Sequence, residues 1–142
     1  MTKDFKKYKR LGRITEATVD DRDVFLFPEQ VNGKYVRISR PKFKNAGVKM
    51  PSIWISFGDD LIEYGKPELL MTGEQWWECQ RMCGGTPPIK TEHGWFMLYH
   101  GVDEKGIYRA RVRECAKRNT VVMTPHVGEA ARLLHADVPT LL

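Results

Sequence analysis

Cys79, Cys83, Cys115 and His93 are the residues whose types could hold a soft metal ion. A structural zinc site needs two closely spaced ligand pairs that converge on a tetrahedron. Here no second pair follows, because the nearest histidine stands ten positions beyond Cys83. An odd number of cysteines also argues against a disulfide framework, so free thiols and no metal are the expectation. Anion binding is a second kind of chemistry the sequence could support. Lys3, Lys6, Lys7, Lys9, Arg10 and Arg13 crowd the start, and Lys105, Arg109, Arg111, Arg113, Lys117 and Arg118 crowd a later stretch, within a net charge of +5 over 142 residues. Anionic partners are therefore in view. Phe5 and Tyr8 interleave with the first basic run and could stack on bases, but no nucleic-acid-binding motif accompanies them. A solvated basic face is the better reading, and nucleic acid is not the expected partner.

The elements that must position such residues read as short strands. Asp23–Phe27 and Lys34–Ser39 are rich in β-formers and are separated by the turn residues Pro28, Asn32 and Gly33, which makes a hairpin. Ser52–Phe57 alternates in period two, Gly58-Asp59-Asp60 turns it, and Leu61–Tyr64 is expected to return as its partner. Pro88–Thr91 and Trp95–Tyr99 flank Glu92-His93-Gly94 as a third hairpin. Trp54 and Trp95 lie inside strands and read as core, whereas Trp76 and Trp77 are left open between packing and stacking on a sugar ring. Strands at this spacing imply an all-β sandwich, barrel or propeller and argue against a helical bundle.

The tail changes character after about Arg109. Val121-Val122-Met123 reads as a strand, Thr124 to Gly128 as a turn, and Ala130, Leu133 and Leu134 share a helix face, so a short C-terminal α/β tail is expected. The division is 1–109 and 110–142. No run of about 18 apolar residues is present, and the first residues lack the apolar stretch of a secretory signal, so a cytoplasmic protein without membrane partners is expected.

Several segments occur together in the order of one family. They are Asp23-Val24-Phe25-Leu26-Phe27-Pro28-Glu29, Asn32-Gly33-Lys34-Tyr35, Arg40-Pro41, Ile53-Trp54-Ile55-Ser56, Gly84-Gly85-Thr86-Pro87-Pro88-Ile89-Lys90-Thr91 and Tyr99-His100-Gly101-Val102. Over about residues 5–109 the chain resembles glycoside hydrolase family 130, the β-mannoside phosphorylases and related mannosidases. The resemblance implies a five-bladed β-propeller, of which this chain would supply about two blades of four-stranded antiparallel sheet. It also implies inverting phosphorolysis of terminal β-mannosyl linkages, with inorganic phosphate as co-substrate, no other cofactor, and α-mannose 1-phosphate as product. Phosphate replaces the base-activated water of an inverting hydrolase, so a cationic cradle can stand in for one of the usual two carboxylates.

By the same resemblance, the phosphate ligands map onto Arg22, Arg40, Arg81 and His100, with Asp23 and Tyr108 beside the substrate, Tyr108 being equally open to a core or rim packing role. Arginine suits this role because its planar fork donates parallel charge-assisted hydrogen bonds and stays protonated. Lysine is common in the family where Arg81 stands, which keeps the charge. Asparagine is frequent where Asp23 stands, and a carboxylate there would repel phosphate unless it is itself paired. The general-acid aspartate is expected outside this chain, in the preceding blade, so no catalytic residue is assigned and the chain alone is expected to be inactive. Two isolated blades would expose apolar faces, which implies self-association or a partner. The alternative is a non-catalytic carbohydrate- or anion-binding module. Residues 121–134 resemble a Thr-Pro-His-Pro-Gly-Glu segment of NAD(P)H-hydrate dehydratases, with Val127 in place of the second proline; His126 and Glu129 would be relics of that substrate site, but with nothing else of that fold present a structural role is the better reading.

Overall fold

The computed structural model describes residues 1–42, 47–48, 50–92, 94–117 and 120–121, with side chains described as far as residue 111. Two antiparallel sheets account for its regular structure. The first runs β1 (Asp21–Leu26), β2 (Tyr35–Pro41), β3 (Ile53–Gly58) and β4 (Glu68–Met71) in sequence order. The second contains β5 (Arg81–Gly84), β6 (Ile89–Thr91), β7 (Gly94–Val102), β8 (Tyr108–Lys117) and β9 (Thr120–Val121). β5 and β6 pair with successive lengths of β7, on the edge opposite β8, so that sheet is four strands wide. The chain between them, Gly85-Thr86-Pro87-Pro88, breaks the strand because proline cannot donate to the ladder.

Local chemistry sets the turns. Asn32 and Gly33 both adopt positive φ, 51° and 75°, and Val31 and Lys34 exchange two backbone hydrogen bonds across them. This is the two-residue hairpin turn that an Asn-Gly pair favours. After β3 the structure departs from the expectation. Leu61–Tyr64 does not pair back as a strand, because the Asp60 carboxylate accepts the backbone N–H groups of Ile62 and Glu63 at 2.7 Å each and folds the segment into a loop. The returning strand is β4, which begins at Glu68. A local side-chain acceptor has out-competed the sheet ladder there.

One apolar core joins the two sheets. Val36, Ile38, Ile53 and Ile55 from the first meet Met82, Trp95 and Met97 from the second, all buried. Phe27 and Trp95 meet edge to face with ring centroids 4.8 Å apart. Trp54 and Trp95 are core as expected, Trp77 is buried as well, and Trp76 is exposed. At Gly84 a Cβ would lie 2.7 Å from the Phe25 ring, so the absence of a side chain lets β5 approach β1. Met82 N–H also donates to the Pro51 carbonyl at 2.9 Å. Each fully buried isoleucine or methionine contributes about 1.5–3 kcal/mol. β8 runs without interruption across Arg109, whereas the expected turn and helix after Val121 lie outside the described residues. No helix among the described residues is long and apolar enough to cross a membrane.

Candidate active site

The site begins at an irregularity in β1. Arg22 sits opposite Arg40, but the next pair is Phe25 with Ile38, so β1 carries one residue more than β2 between them. The extra residue is absorbed at Asp23, whose φ is 52°. A bulge of this kind re-aims a side chain. Here it turns the Asp23 carboxylate onto Arg40, whose Nε donates to Asp23 Oδ2 at 2.6 Å. The arginine side chain is 8% exposed and the aspartate 33%, so the pair is largely removed from water. Asp23 is therefore paired, the condition under which its charge can sit beside an anion site.

The second sheet brings its polar groups to the same place. On β5, Cys83 is directly opposite His100 of β7, and Arg81 is opposite Val102, which in turn pairs with Tyr108 of β8. Strand alternation thus puts Arg81, Cys83, His100 and Tyr108 on one face. Arg81 Nη2 donates to the Tyr108 hydroxyl, and its guanidinium lies over the Tyr108 ring, 5.3 Å from the centroid. The His100 and Tyr108 rings are 5.3 Å apart. Burial holds His100 below its ordinary value of 6.5; Asp23 pulls the other way, and Arg81 and Arg40 push it further down. The imidazole is thus within the electrostatic reach of both arginines and the aspartate, and burial favours its neutral form. Burial likewise pushes the Cys83 thiol up to about 11, with Asp23 opposing its ionisation.

Five of the six residues assigned by resemblance, Asp23, Arg40, Arg81, His100 and Tyr108, therefore gather between the two sheets. Arg22 does not join them. Its guanidinium is exposed and forked onto Asp20, at 2.8 and 3.1 Å, and Lys42 shares that carboxylate at 2.7 Å. The sequence reading missed Cys83. Its signal was the alternation Arg81-Met82-Cys83-Gly84, which puts the arginine and the thiol on one side of a strand too short to stand out. A second polar group was also missed, on the other face of the first sheet. Arg37 there is buried, donates to the Ile14 carbonyl and to Ser56 Oγ, and stacks on Tyr64 at 4.9 Å. Its Nε, with Asp21 Oδ1 and the Tyr64 hydroxyl, is buried without a hydrogen-bond partner.

The sequence profile of glycoside hydrolase family 130, described as beta-1,4-mannooligosaccharide phosphorylase, matches residues 1–127. The chain belongs to that family. Among its relatives, 1,2-beta-oligomannan phosphorylase of Thermoanaerobacter sp. is 38% identical over 109 residues, which is 76% of this chain and 33% of the relative. Beta-1,2-mannobiose phosphorylase of Listeria innocua is 40% identical over 75% of this chain and 29% of its own length. The solved structure of a Listeria innocua beta-1,2-mannobiose phosphorylase in complex with beta-1,2-mannobiose superposes with a TM-score of 0.74 at 36% identity, covering 84% of this chain and 33% of that one. The chain thus spans about a third of the length of the family members it matches. Its two sheets are neighbouring blades of a partial β-propeller, as the resemblance implied. The family match takes in the first part of the 121–134 segment, and none of these matches supports the hydrate dehydratase resemblance there.

Proposed function

We propose that this chain supplies the phosphate side of a β-mannoside phosphorylase active site. The observation that carries this reading is the convergence of Arg40, Arg81 and His100 from two sheets, with Asp23 and Tyr108 between them. Two guanidinium groups and an imidazole N–H suit a tetrahedral oxyanion, because charge-assisted donors from fixed strands bind it without reorganisation. In this reading a phosphate oxygen attacks the anomeric carbon of a terminal β-mannosyl unit from the face opposite the leaving oxygen. The new C–O bond to phosphate forms as the glycosidic C–O bond breaks, a general acid protonates the leaving oxygen, and inversion gives α-mannose 1-phosphate. No metal or organic cofactor enters. The relatives' names support a β-mannosyl oligosaccharide as the sugar partner, with β-1,2 and β-1,4 linkages both represented.

Arg22 completes the cradle once phosphate draws it from Asp20. The general acid belongs to the preceding blade, so residues 1–142 alone bind phosphate without turnover. Each propeller blade packs on two neighbours, which makes self-association of this pair the expected behaviour in gel filtration. The unpaired Cys79 and Cys83 accord with action in the reducing cytoplasm.

Thermal unfolding of the chain under a phosphate titration, at ionic strength matched with chloride, tests the reading. A ligand that binds only the folded state stabilises it by about 2.7 kcal/mol at a hundredfold excess over Kd. The wild-type midpoint should rise with phosphate, and Arg81→Gln should abolish most of the rise. Equal shifts in phosphate and chloride would exclude a phosphate site. A rise that collapses between low and moderate salt for RNA, with none for phosphate, would favour the basic nucleic-acid reading.

A further inference from the structure

Trp76 is 69% exposed, whereas Trp54, Trp77 and Trp95 are buried. Exposed side chains ordinarily change rotamer within nanoseconds, but this one is held at its backbone and at its ring. The backbone belongs to the short 3-10 turn Trp76–Glu78, which the buried Glu78 carboxylate closes. Glu78 Oε2 accepts the N–H groups of Glu74 and Gln75 at 2.9 and 3.0 Å, and Oε1 accepts the Tyr99 hydroxyl of β7 at 2.9 Å. Trp77 beside it lies against Gly101, where a Cβ would come within 2.8 Å of the Trp77 ring. The Trp76 ring is backed by Arg109, whose guanidinium lies 4.6 Å from the ring centroid and is itself fixed to the Asp103 carboxylate at 2.6 Å. We propose that Trp76 is a stacking platform for one sugar ring of a β-mannosyl oligosaccharide, at the end of the sheet that carries the phosphate site. The inference rests on the phosphorylase reading given above.

Three physical points support it. First, Arg109 follows Tyr108 on β8; Arg109 pairs with Gly101, and Tyr108 pairs with Val102, which is opposite Arg81. The indole stacked on Arg109 is therefore at the same end of the sheet as Arg81 and Tyr108, and a sugar chain leaving the phosphate site over that end meets it. Second, strand alternation puts Arg109 on the face where Met97 and Tyr99 join the core shared by the two sheets. The exposure of Trp76 is thus not that of a blade face left without a neighbour. Third, the chemistry fits a pyranose. The face of an indole is electron-rich and attracts the weakly positive C–H groups of a sugar ring, and an indole already fixed by Glu78 and Arg109 loses little freedom when a ligand settles on it.

The test titrates β-1,4-mannotriose into the 142-residue chain labelled at its indole nitrogens and follows the four tryptophan N–H resonances by NMR, with Trp76→Phe to assign the Trp76 signal. That signal should move along one saturable curve, while those of Trp54 and Trp95, buried in strands, stay fixed. The affinity for mannotriose should fall about 5- to 30-fold in Trp76→Ala, the scale of losing one stacked aromatic, and recover in part in Trp76→Phe. A Trp76 resonance that moves no further in mannotriose than in glycerol overturns the platform, as does an unchanged affinity in Trp76→Ala. So does a resonance that responds to protein concentration instead of sugar, which assigns the indole to contact between copies of the chain. Failure of inorganic phosphate to stabilise the wild-type chain overturns the phosphate reading instead, and the Trp76 curve then still decides whether the indole holds a sugar.

Discussion

Asp21 and Asp23 are two residues apart on β1, and a regular strand would point both to one side of the sheet. The bulge separates them. Asp23 turns toward the second sheet, where its carboxylate accepts the Nε of Arg40 at 2.6 Å, so its charge is compensated. Asp21 stays on the far side with Arg37, where burial raises its carboxyl above the ordinary carboxylate value despite the pull of that cation. One side of the first blade is electrostatically finished by the blade that follows it. The other, covered among the described residues by the N-terminal segment, keeps buried polar atoms without partners. A blade is thus not a self-sufficient polar unit. The polar face toward the second sheet is completed by the groups that sheet supplies.

This contrast can be broken from either side, most severely at Arg40. Arg40→Met removes the cation but leaves Asp23 one-third exposed, and removing one partner of such a pair should cost about 1–3 kcal/mol of unfolding free energy, read by urea denaturation. The same substitution should erase phosphate stabilisation. Gly84→Ala attacks the approach of the two sheets rather than their charges. A Cβ 2.7 Å from the Phe25 ring forces that ring or β5 to shift, at a cost of about 1–3 kcal/mol, and it should weaken phosphate binding without removing any ligand.

Smaller effects sharpen the comparison because they carry opposite signs. Asp23→Asn should destabilise the chain by about 1 kcal/mol, the scale of exchanging a charge-assisted hydrogen bond for a neutral one. Asp21→Asn should stabilise it at neutral pH, by less than about 1 kcal/mol, since a raised carboxyl means that folding is opposed by ionising a poorly hydrated group. With Asp21 present, the folded state holds its proton above the usual 3.8, so stability drains away as pH rises through that raised range. His100 acts the other way. Its folded value lies below 6.5, so its contribution is complete above 6.5 and is lost as pH falls from there through the lowered value. Unfolding midpoints measured from about pH 5 to 8 should decline toward acid, and His100→Asn should flatten that decline.

The strands were legible where one rule acted alone. Asn32-Gly33 announced its hairpin, and the alternation of Ile53-Trp54-Ile55-Ser56 announced β3 and the buried Trp54. Leu61–Tyr64 misled because a carboxylate at Asp60 captures its backbone, and hydrophobic pattern carries no sign of such a capture. β5 was hidden by its length. The site was legible through the resemblance rather than through composition, since an arginine at a strand end reads the same whether it faces water or a ligand. Arg22 shows the remaining gap. Its motif places it beside Arg40, and register confirms that they are opposite one another, yet Asp20 two residues earlier turns its side chain outward. The bulge at Asp23 left no mark in Asp-Arg-Asp-Val-Phe-Leu.

The convergence of cations between the blades is tested most directly by side-chain NMR of the chain labelled at arginine and histidine nitrogens, titrated with inorganic phosphate. Resonances of Arg40, Arg81 and His100 should move together along one binding curve, while Arg37, buried on the opposite face of the same sheet, stays fixed. Separate curves for the three groups, or movement of Arg37 in their place, would contradict a shared phosphate site.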